Sequence, residues 1–107
     1  VAQYEKYPTS QYDCVICNDV IVHIEPVYLD QTLTAMQDLF TDSAWFIIAC
    51  YPAKKKLPDG RNAHLTVREP DWWRTVIEKR FDQCNIESWE VYHKLKSKPE
   101  VRVVLTK

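Results

Sequence analysis

The stretch YDCVICNDVIVHIEP, residues 12–26, turns from an apolar run into a polar pair within a few positions. The run that ends at Asn18 carries apolar side chains at both odd and even positions. That pattern is typical of a strand whose two faces are both covered, as in the interior of a parallel sheet between helices. We therefore predict a buried strand over Tyr12–Asn18, with Asn18 and Asp19 at its carboxyl end.

The residues that follow predict a helix and a second strand. Pro26 suits the first turn of a helix, and apolar residues recur from there to Phe40 at three- and four-residue spacing. Residues 41–43 have the polar composition of a turn, and residues 44–51 form a second run that is apolar on both faces. Strand, helix and strand in this order predict a parallel unit with a right-handed crossover.

A long polar loop and a second helix are predicted next. Residues 53–69 are polar, and long ordered loops in compact domains are often functional. Pro70 begins a helix that is predicted to continue to Phe81. Only one of Trp72 and Trp73 can face the core, because neighbours on a helix lie about 100° apart. We expect the other tryptophan to lie at the surface; the alternatives are that it covers the loop, a substrate or a partner chain.

The last two apolar segments predict an antiparallel hairpin. Residues 86–93 and 101–106 are the strands, and the connection between them is short. Residues 1–11 are polar and predict a lead-in loop. The order β-α-β-α-β-β predicts one α/β domain over residues 1–107, with three layers and a mixed sheet of about four strands.

Size and composition narrow the classes of function. The chain has 107 residues, 46% of them hydrophobic and 27% charged, with a formal net charge of -1. Such a charge gives no general attraction to nucleic acid or to an anionic membrane. No apolar run approaches the roughly 20 residues that a membrane-spanning helix needs. The sequence begins with Val1, so we expect a processed chain or part of a longer reading frame.

The four cysteines do not predict a metal or redox site. Cys14 and Cys17 form a C-x-x-C pattern inside the first strand, where residues three apart point to opposite faces. A redox pair requires a helix N-terminus, and a zinc site requires further ligands at a suitable spacing. With Cys50 and Cys84, the cysteines are interpreted as free thiols, which favours a reducing, cytoplasmic setting.

The opening stretch resembles class I, Rossmann-like, S-adenosylmethionine-dependent methyltransferases. That family shows a strand of the form YD followed by apolar residues, a polar step, and a phrase such as DVLEHI before the next helix. Here the phrase reads CNDVIVHI, with Val22 where the family usually carries glutamate. The likeness extends from Tyr12 to Lys107 and implies the carboxyl-terminal half of the domain, a half-Rossmann fold. The family's amino half, with its glycine-rich turn, has no counterpart, since Gly60 is the one glycine.

The resemblance implies S-adenosylmethionine as cofactor and names residues that bind it. Asn18 and Asp19 would lie beside its methionine part, and His23 near the cofactor or the substrate. In open α/β sheets, ligands bind beyond the carboxyl ends of the strands, where this polar pair is predicted. The alternative for Asn18 and Asp19 is an Asx turn that only ends the strand. The alternative for His23 is a partly exposed residue that packs against the fold or caps the helix.

The loop after the second strand supplies the remaining candidates. His64 is predicted at the same edge as Asn18, as a substrate-site or catalytic residue, and Asp59 is the alternative base. The loop is locally basic, which favours a lid over an anionic substrate such as a nucleotide or nucleic acid. The other interpretation is a solvated loop. The predicted substrate-loop residues are Tyr51, Lys54, Lys55, Lys56 and Arg61.

Two functions of different classes follow. In the first, the chain is a methyltransferase half that works with a missing amino-terminal half. In the second, it is a non-catalytic half-Rossmann module that forms a homodimer or binds a partner through Tyr12–Asn18. The second function rests on the first strand, which would be an exposed apolar edge if its usual neighbour were absent. Such an edge promotes aggregation, and pairing with a second copy across a two-fold axis would cover it.

Overall fold

The computed structural model describes residues 11–95 and 97–107, apart from the side chain of residue 94. The lead-in loop predicted for residues 1–11 therefore lies almost wholly outside the described residues. The elements in chain order are β1 (Tyr12–Asn18), a 3-10 turn (Ile21–His23), α1 (Pro26–Gln37), β2 (Phe40–Ala49), α2 (Pro70–Arg80), β3 (Asn85–Leu95) and β4 (Lys98–Thr106).

The strands form one mixed sheet in the order β1-β2-β4-β3. β1 and β2 are parallel and are joined through α1, while β4 is antiparallel to both β2 and β3. The predicted α/β class, the parallel unit and the closing hairpin are thus confirmed. The hairpin is tighter than predicted, since β3 extends to Leu95 and β4 already begins at Lys98.

The predicted turn over residues 41–43 is wrong, because these residues belong to β2. Ser43 pairs with Cys14 of β1 and with Thr106 of β4, and the carbonyl oxygen of Asp42 accepts a bond from the Lys107 amide. The ladder on both sides overrides the local preference of a polar tripeptide for a turn. α1 accordingly ends at Gln37, before the predicted end at Phe40.

The core lies between one face of the sheet and the two helices. Ala44, Phe46 and Ile48 of β2 lie opposite Leu105, Val103 and Val101 of β4, and all of these side chains are buried. The helices contribute apolar residues to the same cluster: Leu29, Leu33, Met36, Trp73 and Ile77. Each fully buried large side chain stabilises the fold by about 1.5–3 kcal/mol.

The two tryptophans of α2 divide as predicted. Trp73 is fully buried in the core, and Trp72 is half-buried at the rim. Their rings meet edge to face with centroids 5.0 Å apart, and the guanidinium of Arg68 lies 5.1 Å from the centroid of Trp72. The outer tryptophan therefore covers the inner one and stacks with a cation.

The opposite face of the sheet is largely open, which overturns the prediction that β1 is buried on both faces. Of the residues of β1 only Cys17 is buried, and Ile16 is 74% exposed. Ile16 pairs with Trp45, which is 53% exposed, and Trp45 pairs with Val104. Among the described residues no helix covers this side and no strand lies outside β1. We call Ile16, Trp45, Ile47 and Val104 the uncovered face.

The outer edge on the other side of the sheet is irregular. β3 pairs with β4 along its length, but its register shifts between Ile86 and Ser88 and again between His93 and Leu95. Such bulges twist an edge and interrupt its free hydrogen-bonding groups. Within residues 11–95 and 97–107, no helix is long and apolar enough to cross a membrane.

Candidate functional site

The carboxyl ends of β1 and β2 meet at one edge of the sheet, because the two strands are parallel. This edge brings together four of the predicted site residues: Asn18, Asp19, Tyr51 and His64. The 3-10 turn after β1 adds His23. Because β4 runs antiparallel to β2, its first residues return to the same edge, where Glu100 pairs with Ala49.

Asp19 stands in an unusual backbone conformation at the tip of β1. Its φ is 57°, in the left-handed region that aspartate and asparagine enter more readily than other residues with a side chain. Its amide donates to the carbonyl oxygen of Ile47 at 2.8 Å, which fixes the tip to β2. The residue that follows the predicted strand end is therefore held in place by the sheet.

The carboxyl group of Asp19 is partly dehydrated and incompletely bonded. Its Oδ1 atom is buried and has no hydrogen-bond partner among the described residues. Burial raises the pKa of this carboxyl and the nearby Glu100 raises it further, whereas His64, His23 and a hydrogen bond from the Ala49 backbone lower it. A carboxylate with a spare acceptor atom at a dehydrated edge suits a positively charged ligand group.

The two histidines are held in the same way, each by a backbone carbonyl. Nδ1 of His23 donates to the oxygen of Ala63 at 2.8 Å, and Nδ1 of His64 donates to that of Tyr51 at 2.6 Å. Since a carbonyl oxygen only accepts, Nδ1 carries the proton, and in the neutral rings Nε2 carries the lone pair. The ring centroids are 5.1 Å apart. Both rings thus have a nitrogen that can accept a proton from a ligand.

The loop over residues 53–69 is fixed at two points. The Asn62 amide oxygen accepts from the backbone of Ala53 at 2.8 Å and of His64 at 2.9 Å, and its Nδ2 donates back to the Ala53 carbonyl. Oγ1 of buried Thr66 donates a hydrogen bond to the carbonyl oxygen of Ile24 at 2.7 Å, and the Thr66 amide donates to the carbonyl oxygen of Val22. The loop is therefore attached to the segment between β1 and α1.

Asp59 and Arg61 lie at the exposed tip of this loop and bind each other. The predicted turn is present, since the Gly60 amide donates to the Leu57 carbonyl at 2.9 Å. Asp59 accepts from the backbone amide of Arg61 at 3.0 Å and from its Nε at 2.7 Å, and Arg61 also reaches Glu25 at 3.0 Å. The amide and then the guanidinium of Arg61 lower the pKa of Asp59, which makes its carboxylate a weaker base.

A cavity of about 330 Å³ lies between this loop and the beginning of α1. Two of the predicted site residues line it, His23 and Arg61. Asp59 and His64 are not among its lining residues, and the exposed Lys54, Lys55 and Lys56 are not either. The remaining lining residues are Ile24, Glu25, Tyr28, Leu57, Ala63 and Leu65.

Glu100 is the residue of this edge that sequence reasoning missed. It is buried, and its Oε2 accepts from Nε of Arg102 at 2.9 Å. The sequence places it in the connection before a predicted strand, although the structure includes it in β4. The predicted hairpin could have indicated this residue. A strand that runs antiparallel beside β2 begins at the edge where β2 ends, so its first residues lie there.

The cysteines are free, and Cys14 is exposed while Cys17 is buried, on opposite faces of β1 as predicted. Burial raises the pKa of Cys50 to about 11. In the part of the chain that the structure describes, no group of three or more histidine, cysteine, aspartate or glutamate side chains could hold a metal ion.

Several solved structures, two methyltransferases among them, share this architecture. The magnesium protoporphyrin IX methyltransferase of Synechocystis, with bound S-adenosylmethionine, matches with a TM-score of 0.60 and 13% identity over 92% of this chain and 40% of that chain. The 1,6-didemethyltoxoflavin-N1-methyltransferase of Burkholderia thailandensis matches with a TM-score of 0.63 and 13% identity, over 91% and 44%. The complex of DhpI with S-adenosylhomocysteine matches with a TM-score of 0.56 and 14% identity, over 92% of this chain and 50% of that chain.

These matches concern the fold and a part of its length. No family model matches the sequence, and no curated protein matches it significantly. The chain spans half or less of each of the three solved chains. It has the Rossmann-like α/β fold of class I S-adenosylmethionine-dependent methyltransferases, as the resemblance in sequence predicted.

Proposed function

We propose that this chain is part of an S-adenosylmethionine-dependent methyltransferase and supplies the edge that holds the methionine end of the cofactor. The observation that carries the proposal is the unpaired, buried Oδ1 of Asp19 at the tip of β1. The fold supports it, because the solved structures that share it contain S-adenosylmethionine or S-adenosylhomocysteine. The free cysteines support a reducing, cytoplasmic compartment.

The residues at this edge fit the charge of that cofactor. When bound, S-adenosylmethionine supplies a methyl group on a positively charged sulfur, and it also carries an ammonium group. Asp19 would complement these charges, and a cation beside it would lower the carboxyl pKa that burial raises. Asn18 is exposed and offers an amide donor and acceptor. His23 and His64 would line the side of the site next to the loop.

A second α/β unit would complete the domain by docking at β1. The strand has one free side within the described chain, and the uncovered face beside it exposes Ile16 and Trp45. A parallel strand added to β1 and a helix over the uncovered face would remove both from water. We propose an amino-terminal methyltransferase half as this unit, because the solved chains are at least twice the matched length.

The cofactor proposal is tested by titrating isotope-labelled chain with S-adenosylmethionine and S-adenosylhomocysteine. The titrations are made on the chain alone and on a mixture with a separate half that carries a glycine-rich turn. We expect the amides of Asn18 and Asp19 to shift. Asp19→Asn should weaken the binding of S-adenosylmethionine more than that of S-adenosylhomocysteine, which keeps the ammonium group but lacks the positive charge on sulfur.

The matched control is Asp13→Asn, which removes an exposed carboxylate near the other end of β1. It should leave both ligands unaffected. The cofactor proposal is wrong if neither ligand shifts the amide signals of Asn18 and Asp19 in the mixture with the second half. It is also wrong if Asp19→Asn binds both ligands with the affinity of the unmodified chain.

A homodimer through β1 is the second candidate, and the exposed Ile16 favours it. Sedimentation of the chain alone and with the second half separates the two. Trp45→Lys should abolish whichever complex forms and leave the fold intact, since this side chain lies outside the core. If the chain stays a monomer at high micromolar concentration and does not bind the second half, both the homodimer and the complex with an amino-terminal half are refuted.

A further inference from the structure

The cavity beside His23 lies next to the edge that we assign to the cofactor, and neither Asn18 nor Asp19 lines it. We propose that it binds a neutral, mostly apolar small molecule with one hydroxyl group on an aromatic ring. On the proposed function, from which this role follows, that molecule is the methyl acceptor. Three features carry the inference: the walls of the cavity, the charges at its rim, and the fixed imidazole of His23.

The walls are mainly apolar and belong to two segments of the fold. Ile24 and Tyr28 contribute from the region where α1 begins, and Leu57, Ala63 and Leu65 from the loop. The volume of about 330 Å³ falls at the small end of the range for ligand pockets, roughly 300–1,000 Å³. Such a space accepts one or two fused rings and buries their faces against aliphatic side chains.

The charges at the rim do not favour an anion. Arg61 is the cation among the lining residues, and it is bound to Glu25 at 3.0 Å and to Asp59 at 2.7 Å. One guanidinium between two carboxylates leaves a net negative group. The three adjacent lysines of the loop are exposed and do not line the cavity. A neutral ligand therefore fits the site better than the anionic substrate that the basic loop favoured on sequence alone.

His23 provides the polar contact. Its Nδ1 is bound to the carbonyl oxygen of Ala63, itself a lining residue, so that Nε2 of the neutral ring can accept a hydrogen bond from the ligand. A phenolic hydroxyl titrates near pH 10, as in tyrosine, which is within reach of an imidazole base. An aliphatic hydroxyl binds its proton far more tightly, so the aromatic hydroxyl is the better match.

The cavity is adjacent to the cofactor edge, because the ring of His23 lies 5.1 Å from that of His64 and both rings act on the pKa of Asp19. In the transfer, the hydroxyl oxygen would form a bond to the methyl carbon as the bond from that carbon to sulfur breaks. The electron pair of the broken bond stays on sulfur, and the hydroxyl proton passes to Nε2 of His23. The products are a methyl ether, an uncharged thioether and an imidazolium.

The test requires neither cofactor nor a second half. Isotope-labelled chain is titrated with p-cresol, with its methyl ether 4-methylanisole, and with benzoate. We expect p-cresol to shift the amides of Glu25, Ala63 and Leu65 in a saturable manner. The ether, which cannot donate, should bind several-fold more weakly because it leaves the imidazole acceptor unpaired. Benzoate should bind more weakly than p-cresol because of the carboxylates at the rim.

Two variants and a control localise the effect. Leu65→Trp should fill the cavity and abolish binding, whereas Val67→Trp, on an exposed position of the same loop, should leave it unchanged. His23→Phe should keep the apolar walls and remove the preference for p-cresol over its ether. A titration of Leu65→Trp is interpreted only after its amide spectrum shows the native fold. If that variant is unfolded, Ala63→Leu replaces it, with the same expectation.

Several results would overturn the inference: no saturable shift with p-cresol, equal binding of p-cresol and its ether, or tighter binding of benzoate. If p-cresol binds as expected but the complex with S-adenosylmethionine bound forms no methyl ether by mass spectrometry, the acceptor role is wrong. If p-cresol binds and S-adenosylmethionine does not, the proposed function fails while the cavity assignment stands.

Discussion

Asp19 combines a strained backbone with a dehydrated charge, and the two costs can be separated by substitution. Asp19→Asn keeps a side chain that tolerates the left-handed region and removes the charge. Asp19→Ala removes the charge and retains the strain of a Cβ at a φ of 57°, which costs about 1–2 kcal/mol. We therefore expect the alanine variant to be less stable than the asparagine variant by about 1 kcal/mol, or roughly 4–8 °C in a domain of this size.

The charge of Asp19 should make the free energy of unfolding depend on pH. The folded chain holds the proton of Asp19 more tightly than the unfolded chain, because burial raises its pKa above the ordinary 3.8. The stability linked to this group is therefore complete below pH 3.8 and is lost as the pH rises through the folded pKa. At pH 7 the carboxylate destabilises the fold. Asp19→Asn should thus be more stable than the unmodified chain at pH 7, and this gain should shrink in acid.

The assay is urea unfolding followed by circular dichroism at pH 7 and at pH 4, for the unmodified chain and both variants. Equal slopes against urea would show that the compactness of the unfolded state is unchanged. An asparagine variant that is less stable than the unmodified chain at pH 7 would refute the reasoning. So would a stability difference that does not change with pH. Together with weaker binding of S-adenosylmethionine, the gain in stability would mark Asp19 as a functional residue that the fold tolerates at a cost.

Three further predictions test the fold around the site. Phe46→Ala should destabilise the chain by about 3–5 kcal/mol and Trp45→Ala by far less, because the two neighbours point to opposite faces of β2 and only Phe46 is buried; urea unfolding measures both. Gly60→Ala should cost about 1 kcal/mol in the same assay through its φ of 89° alone, since no atom lies within 4 Å of an added Cβ. Alkylation at pH 8, followed by mass spectrometry, should modify exposed Cys14 first and Cys50 slowly, because the pKa of Cys50 is about 11; equal rates would contradict this burial.

Much of the architecture could be predicted because it depends on local periodicity. Apolar runs marked β1 and β2, the spacing after Pro26 marked α1, and the short connection marked the hairpin. The open face of β1 could not be predicted, since an apolar run does not show whether the elements that would cover it are present in the same chain. The start of β2 was missed because residues 41–43 are polar, and only pairing with two other strands makes them extended.

The candidate site was predictable only in part. Residues at the ends of parallel strands can be placed at one edge from their order, and in the structure His64 acts on Asp19, the neighbour of Asn18. The contacts that decide the chemistry join distant segments, as Arg61 does with Glu25 and His23 with Ala63. No periodicity reports such pairs. The sequence showed the charge of Arg61, but it did not show that Glu25 and Asp59 pair with it.

The sheet has two unlike borders, and this limits how the molecule can associate. β3 is kinked by two register shifts, whereas β1 is exposed on its outer side in the described chain. In the described part of the chain, β1 keeps a regular register with β2 from Cys14 to Asn18, whereas β3 has two shifts along its length. We therefore expect strand addition at β1 and not at β3, so that no ribbon of copies grows. Assembly through the sheet should stop at one-to-one stoichiometry.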